Sequence, residues 1–237
     1  MKFSIVISTY KRDDGKTPEL LKRALDSIFN QTYKNFKLFL IGDKYEDVGE
    51  IFEIISKYDC EKIYFENLSY AKERDRYQNS NKAALWSYGG VNAINYGIIK
   101  SINDGYNLIC HLDHDDWWYP NHIEEIKKCI EETEASWVCT KSTYFSEYVF
   151  LPKKITNKEY ENFLPESSEL IHSSVCMDFK KIPLLYRDIY DLTNTVGLPA
   201  DADLWERTRE YIQNNNLKSY FINKLTCRHD EEGYSKN

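Results

Sequence analysis

At 237 residues the chain is long enough for one α/β domain with a large core, or at most two small ones. Apolar residues at 42% and charged residues at 29% match an ordinary globular protein. The net charge of −7 and a pI near 5.4 exclude a non-specific nucleic-acid binder.

The chain opens on a strand. Met1-Lys2 leads into Phe3 to Ser8, apolar and β-branched, too short for the apolar core of a signal peptide. No apolar run approaches a membrane span. The polar turn Thr9 to Gly15 follows. Thr17-Pro18-Glu19 then starts a helix, with a capping hydroxyl, a proline in the first turn and an acid behind it. Leu20, Leu21, Ala24, Leu25, Ile28 and Phe29 recur at helical spacing until Asn30-Gln31-Thr32 stops the run. Phe36 to Ile41 is the second strand, ending in Gly42-Asp43, and a helix carrying Val48, Ile51, Phe52 and Ile55 leads to a third strand at Ile63-Tyr64-Phe65. This β-α-β-α-β order predicts parallel strands and right-handed crossovers.

Leu68 to Tyr88 is rich in charge and amide and lacks periodicity; it reads as a long loop or partly helical lid near a site. Gly89-Gly90 opens a helix with Val91, Ile94, Ile98, Ile99 and Ile102 expected inward, and Asp104-Gly105 closes it. A buried strand follows over Tyr106 to Leu112, then a helix after Pro120 and a strand from Ser136 to Thr140. Beyond Lys141 the alternation breaks down. Tyr144 to Leu151 reads as an edge hairpin, Lys153 to Glu169 as polar loop, and Leu170 to Met177 as a strand carrying polar groups. Pro199 opens a helix to about Asn214, and Lys218 to Thr226 is the last strand. No repeat or linker interrupts the chain.

The six cysteines are scattered, without a Cys-x-x-Cys pair and several within apolar strands. A reducing, cytoplasmic setting is expected rather than a disulfide framework, and no zinc site. The 19 tyrosines and 5 tryptophans suit sugar stacking, and equally suit core and rim.

The stretch that carries chemistry is Leu112-Asp113-His114-Asp115-Asp116-Trp117-Trp118-Tyr119-Pro120, three acids at the carboxyl end of a buried strand. In open α/β sheets ligands bind there. On extended chain Asp113 and Asp115 point the same way with His114 opposed. Two such carboxylates call for a hard cation, Mg²⁺ or Mn²⁺, shared with phosphate oxygens. The competing reading is a solvated turn leading into the next helix, where Asp is favoured.

With these pieces in order, the chain resembles glycosyltransferase family 2, enzymes of the GT-A fold. Phe3 to Tyr10 looks like the family's opening strand. Leu25-Asp26-Ser27-Ile28-Phe29-Asn30-Gln31-Thr32-Tyr33-Lys34-Asn35-Phe36 is similar to its first helix and connector, and Leu112-Asp113-His114-Asp115-Asp116 to its metal motif. Pro199 to Trp205 resembles the late acidic motif, and Arg228-His229 with Gly233 and Ser235 the closing segment.

The resemblance implies one α/β domain over 1–237. It has a mostly parallel, Rossmann-like central sheet flanked by helices, a nucleotide-sugar-binding half over about 1–118 and an irregular acceptor half over about 119–237. It also implies a metal-dependent, inverting transfer from a nucleotide-diphosphate sugar, with UDP as the default, to a glycan, lipid-linked or protein acceptor. Carried over, Asp43 hydrogen-bonds the base with Ser8 and Tyr10 beside it. Asn95, in the helix segment where the family often has an arginine nearby, is expected with Asp113 and Asp115 among the residues that bind the nucleotide sugar. Lys72, Arg74 or Lys82 is then expected to supply the phosphate contact. Asp115, assisted by Asp113 and completed by His229, holds the metal.

Asp201, near a helix start whose dipole favours its ionised form, is the candidate general base, with Asp203 in reserve. A simple N-cap is the alternative for Asp201, a surface imidazole for His229, and for His172 either an acceptor-pocket wall or a satisfied buried histidine. Two other functions fit parts of the sequence. One is a non-catalytic nucleotide- or glycan-binding module of the same fold. The other is a sugar-phosphate nucleotidyltransferase, which requires a Gly-rich phosphate loop where this chain has Ser8-Thr9-Tyr10-Lys11-Arg12.

Overall fold

The structure is a computed structural model and describes residues 1–187 and 198–229. Gly233 and Ser235 of the closing segment lie outside the described residues. Strand β1 (Phe3–Thr9) pairs in parallel with β2 (Phe36–Asp43) on one side and β4 (Leu108–His111) on the other; β2 pairs in parallel with β3 (Ile63–Leu68). Next to β4 lies β9 (Val175–Asp178), antiparallel, and beyond it β6 (Trp137–Tyr144) and β10 (Ser219–His229), parallel to each other. The order is β3-β2-β1-β4-β9-β6-β10-β5, where β5 is Trp117–Trp118; the short strands β7 (Phe150–Leu151) and β8 (Tyr160–Asn162) pair with β6 and β10. Six strands therefore run one way, while β9 and the short β5, β7 and β8 run against them, giving a mostly parallel central sheet.

Alternation along the strands sorts the core into two layers. Ile5, Ile7, Leu38, Leu40 and Cys110 face one side, against Leu21, Leu25 and Ile28 of α1 (Thr17–Phe29), Ile51 and Ile54 of α2 (Gly49–Ile55) and Ile123 and Ile126 of α6 (His122–Thr133). Val6, Phe39 and Ile109 face the other, against Ile94 and Ile98 of α5 (Val91–Asn103) and Leu204, Trp205 and Ile212 of α7 (Ala200–Asn214). Each such fully buried aliphatic side chain is worth ~1.5–3 kcal/mol relative to exposure. Helix α5 approaches the sheet closely because Gly97 faces it: a Cβ there would stand 2.6 Å from Val6 Cγ1.

Several expectations change. Ile99 and Ile102 are exposed rather than inward, because α5 buries only the stripe through Val91, Ile94 and Ile98, and Phe52 is likewise exposed on α2. Thr17 is not the cap of α1 but its first residue: its hydroxyl accepts from Arg12 N–H (2.9 Å) and donates to the Tyr10 carbonyl (2.9 Å), pinning the loop after β1. The segment 68–88 holds two short helices, α3 (Lys72–Tyr77) and α4 (Lys82–Tyr88). Leu170 to Met177 is not one strand, since a 3₁₀ turn at His172–Ser174 precedes β9. The hairpin expected near Tyr144 to Leu151 is the β6/β7 pair. All six cysteines are free thiols, five of them buried. Among the described residues no helix is long and apolar enough to cross a membrane.

Candidate active site

The chain reverses its lateral direction between β1 and β4, with β2 and β3 on one flank and β4 onward on the other, and the strand ends there form the site. Strand β4 stops at His111, and a turn closed by Asp116 N–H to the Asp113 carbonyl (3.0 Å) carries the acids. The extended geometry expected for them does not hold. Because the chain turns, the three carboxylates diverge. Asp113 lines the cleft. Asp115 swings toward α1, its Oδ2 3.4 Å from Arg12 Nη1 while its carbonyl accepts from Arg23 Nη2 at 2.7 Å. Asp116 is buried, accepting from Ser173 Oγ (2.5 Å) and from His229 Nδ1 (2.9 Å). His114 is buried beside Tyr10, ring to ring at 5.1 Å.

The stop of α1 braces this turn. Gln31, wholly buried, donates to the Tyr119 carbonyl (2.8 Å) and accepts from Ile123 N–H (3.0 Å), while Thr32 N–H donates to the Pro120 carbonyl (2.7 Å). A side-chain amide in the protein interior thus ties the end of the first helix to the chain that leaves the acidic loop and enters α6. That is the physical content of the Asn30-Gln31-Thr32 segment.

His229, on β10, meets Asp116 across the cleft floor. Burial alone would lower its imidazole pKa; the adjoining Asp116 carboxylate outweighs this and pushes it up to about 9, so the ring is cationic near neutrality. Burial raises the Asp116 carboxyl, and the imidazolium and the Ser173 hydroxyl pull it back. Asp113 is held well above the usual carboxylate range, first by burial and then by Asp116 and Asp115. This concentration of partly compensated negative charge is one that a cation would relieve. Among the described residues no three His, Cys, Asp or Glu side chains are already arranged as a metal cage.

Around these groups lies a cleft of about 680 Å³. Ser8 from β1, Gly89 and Gly90 before α5, and Asp113 and His229 line one part, with Asp201 at the start of α7, His172 and Tyr186 beside them. Gly90 needs its freedom: φ is +88°, and a Cβ would meet Ser8 Oγ at 3.3 Å. Asp201 is not an N-cap; Pro199 holds that position, and Asp201 Oδ1 accepts from Ala202 N–H at 2.8 Å. Burial raises its carboxyl pKa against the pull of that N–H, so the shift runs opposite to the dipole expectation. Asp203 is committed elsewhere, bridging Arg187 (3.2 Å) and Arg207 (2.8 Å) in the interior. His172 lines the cleft with Nδ1 3.0 Å from the Tyr186 hydroxyl, and burial lowers its pKa to about 3.

Asp43 closes a second seat at the end of β2. Its side chain is buried, Oδ2 accepts from Arg74 Nε at 2.8 Å, and Oδ1 has no partner among the described residues. The Arg74 guanidinium lies 3.3 Å from the centre of the Tyr10 ring. Of the three basic residues expected near the ligand, Arg74 is the one at this seat, and Lys82 is exposed on α4. Asn95 faces elsewhere: its amide brackets the Tyr186 backbone, donating to the carbonyl (2.8 Å) and accepting from the N–H (3.0 Å). Sequence reasoning missed Asp116, Ser173 and Arg12. Asp116 sat in plain view inside the acidic run, but Ser173 and Arg12 come from distant segments that carry no local signal.

An acidic turn at the strand ends of such a sheet, opening on a mixed cleft, is the architecture of GT-A glycosyltransferases. The structure aligns over 97% of its length with S. aureus TarS 1-349 in complex with UDP-GlcNAc, at TM-score 0.68 and 12% identity, spanning 58% of that chain. It aligns over 96% with the mannosyltransferase PcManGT from Pyrobaculum calidifontis in complex with GDP-Man and Mn²⁺, at TM-score 0.60 and 11% identity, spanning 56% of that chain. In sequence it is 37% identical over 245 residues to an uncharacterized glycosyltransferase of Acanthamoeba polyphaga mimivirus, covering 100% of this chain and 97% of the relative. The chain therefore belongs to the glycosyltransferases. A shorter match, 28% identical over 57% of this chain and 38% of the relative, is to the amylovoran biosynthesis glycosyltransferase AmsB of Erwinia amylovora. No protein-family model matches the chain.

Proposed function

We propose that this glycosyltransferase is a family 2-like hexosyltransferase that moves a sugar from a nucleotide diphosphate, UDP by preference, to an acceptor hydroxyl with inversion. The observation that carries the reading is the common cleft of Asp113, His229 and Asp201 beside Ser8 and the Tyr10–Asp43–Arg74 seat. In a single displacement the acceptor oxygen attacks the anomeric carbon as the bond to the diphosphate oxygen breaks. The acceptor proton passes to Asp201, and the leaving diphosphate takes the electron pair. A carboxylate whose pKa is raised by burial, as Asp201's is, is better matched to taking a proton near neutrality than an exposed one. Asp43 Oδ1, buried and unpartnered among the described residues, would accept a base N–H once the Arg74 guanidinium moves off the seat, which would also uncover the Tyr10 face for the ring. On this reading the chain divides functionally into a donor half, about 1–118, and an acceptor half, about 119–237.

The residues present fit a divalent cation. Asp113 and Asp115 would hold it, joined by His229 only once its imidazole has given up its proton, and the lack of a ready-made cage among the described residues suits an ion that keeps oxygens of the diphosphate in its shell. When bound it would neutralise charge on the leaving group. The cationic His229, fixed by Asp116, serves the same end from the protein side.

Calorimetry of UDP and GDP with and without Mn²⁺ tests the reading. UDP is expected to bind in Mn²⁺, with weaker binding on chelation and in Asp113→Ala and Asp115→Ala. Equal affinity with and without the metal would remove the metal from the reading, and no binding of either nucleotide would remove the donor.

A further inference from the structure

We infer that Trp86 is a stacking platform for a pyranose ring of the acceptor, so that the acceptor is a saccharide rather than a lipid chain; this rests on the glycosyltransfer reading above. The five tryptophans are not equivalent. Trp118, Trp137 and Trp205 are fully buried, and Trp117 is half-buried with the Arg228 guanidinium 5.3 Å from its ring centre. Trp86, on α4, is 64% exposed and lines the same cleft as Asp113 and Asp201. Among the described residues no ring, cation or hydrogen-bond partner engages its indole. A bare indole at the mouth of a substrate cleft is costly in water and gains by covering one face.

The chemistry of the walls says what covers it. Ser87, Ser167 and Ser168 contribute hydroxyls and Lys153 an ammonium, interleaved with the aliphatic Val149 and Leu151. A sugar ring has an apolar C–H face for the indole and a belt of hydroxyls for those polar groups. An acyl chain would cover the indole but strip water from the hydroxyls and the ammonium without replacing their hydrogen bonds. Asp201 lines the same cleft, so the platform and the candidate base share one acceptor space.

Trp118, Trp137 and Trp205 are shielded, so a ligand-dependent change in emission comes from Trp86 or the half-buried Trp117, and its loss in Trp86→Ala assigns it to Trp86, which gives a readout independent of turnover. The protein, saturated with UDP and Mn²⁺, is titrated with methyl glycosides of glucose, galactose, mannose and N-acetylglucosamine, with their disaccharides, and separately with dodecyl phosphate. At least one saccharide is expected to change the emission saturably and shield it from acrylamide. Trp86→Ala should abolish the change and weaken saccharide affinity by about tenfold, with Trp86→Phe intermediate.

Stabilisation by UDP and Mn²⁺ should be the same in Trp86→Ala as in the wild type. Failure of that stabilisation in the wild type speaks against the transferase reading, whereas normal stabilisation with no response to any saccharide overturns the platform. A response to dodecyl phosphate alone, or to UDP-sugars but to no free saccharide, also overturns it, the latter by placing the donor's sugar on the indole.

Discussion

Asp201 is where the chemistry of the cleft can be separated from its architecture. Its carboxylate accepts from the Ala202 N–H, a bond an asparagine amide oxygen can also accept, so Asp201→Asn preserves shape and loses only the capacity to take a proton. We expect kcat for transfer to fall by about two to four orders of magnitude, with nucleotide affinity and melting temperature nearly unchanged. A collapse of stability with normal kcat in the surviving folded fraction would make the residue structural. Asp43 and Arg74 form the complementary case, a buried carboxylate whose one ionic partner is only partly exposed. Asp43→Ala should raise the donor KM and relax the preference between UDP and GDP, measured with both donors. Arg74→Ala, by contrast, leaves a buried carboxyl without its countercharge. It should lower stability by about 1–3 kcal/mol in urea unfolding, more than an exposed ion pair would cost.

Helix α5 shows how one element places the site. Its N-terminus begins at Gly90 in the left-handed region and abuts Ser8, while Gly97, two turns on, lets the helix lie against β1 and β2. Gly97→Ala would gain helix propensity and still be destabilising, because its Cβ would meet Val6 Cγ1 at 2.6 Å and Ile41 Cγ1 at 3.1 Å, both within the packed core. The expected loss is about 1–3 kcal/mol, read as a melting temperature lower by several degrees. An unchanged melting temperature would mean that α5 can slide without cost, and with it the glycines at the cleft.

Across the whole molecule, buried histidines weaken the fold in acid, against the opposite contribution of buried carboxyls such as Asp43, Asp113 and Asp201, which burial raises. His122, stacked on Trp118 at 4.2 Å, and His172 are both held by burial at a pKa of about 3, below the model-peptide value of 6.5. Below pH 6.5 the unfolded chain binds these protons and the folded chain does not, so stability falls as pH drops and is recovered as pH rises. Each histidine contributes a slope of about 1.4 kcal/mol per pH unit across that window. Urea unfolding between neutral pH and pH 4 should show this acid limb, and His122→Gln should make it shallower. An unaltered slope in the variant would mean that His122 titrates normally in the fold.

Local chemistry in the sequence determined much of this protein. The alternating and helical periods defined β1 to β4, α1, α5, α6 and α7, because a strand or helix with one buried face must repeat its apolar residues at that face's period. The order of those elements implied a parallel sheet, and the acids after a buried strand marked its ligand end. What needed the tertiary structure was everything set by contacts between distant segments. Whether Asp113, Asp115 and Asp116 point together or apart depends on where β4 stops. The turn that follows is held by Ser173 and the chain beyond it by Gln31, 60 and 92 residues from their partners Asp113 and Ile123. The raised pKa of His229 comes from Asp116, 113 residues away, and the exposure of Trp86 from what α4 fails to pack against. Such long-range desolvation and charge pairing leave no periodic trace in a chain, so only the folded arrangement decides which acid faces the cleft and which histidine is charged.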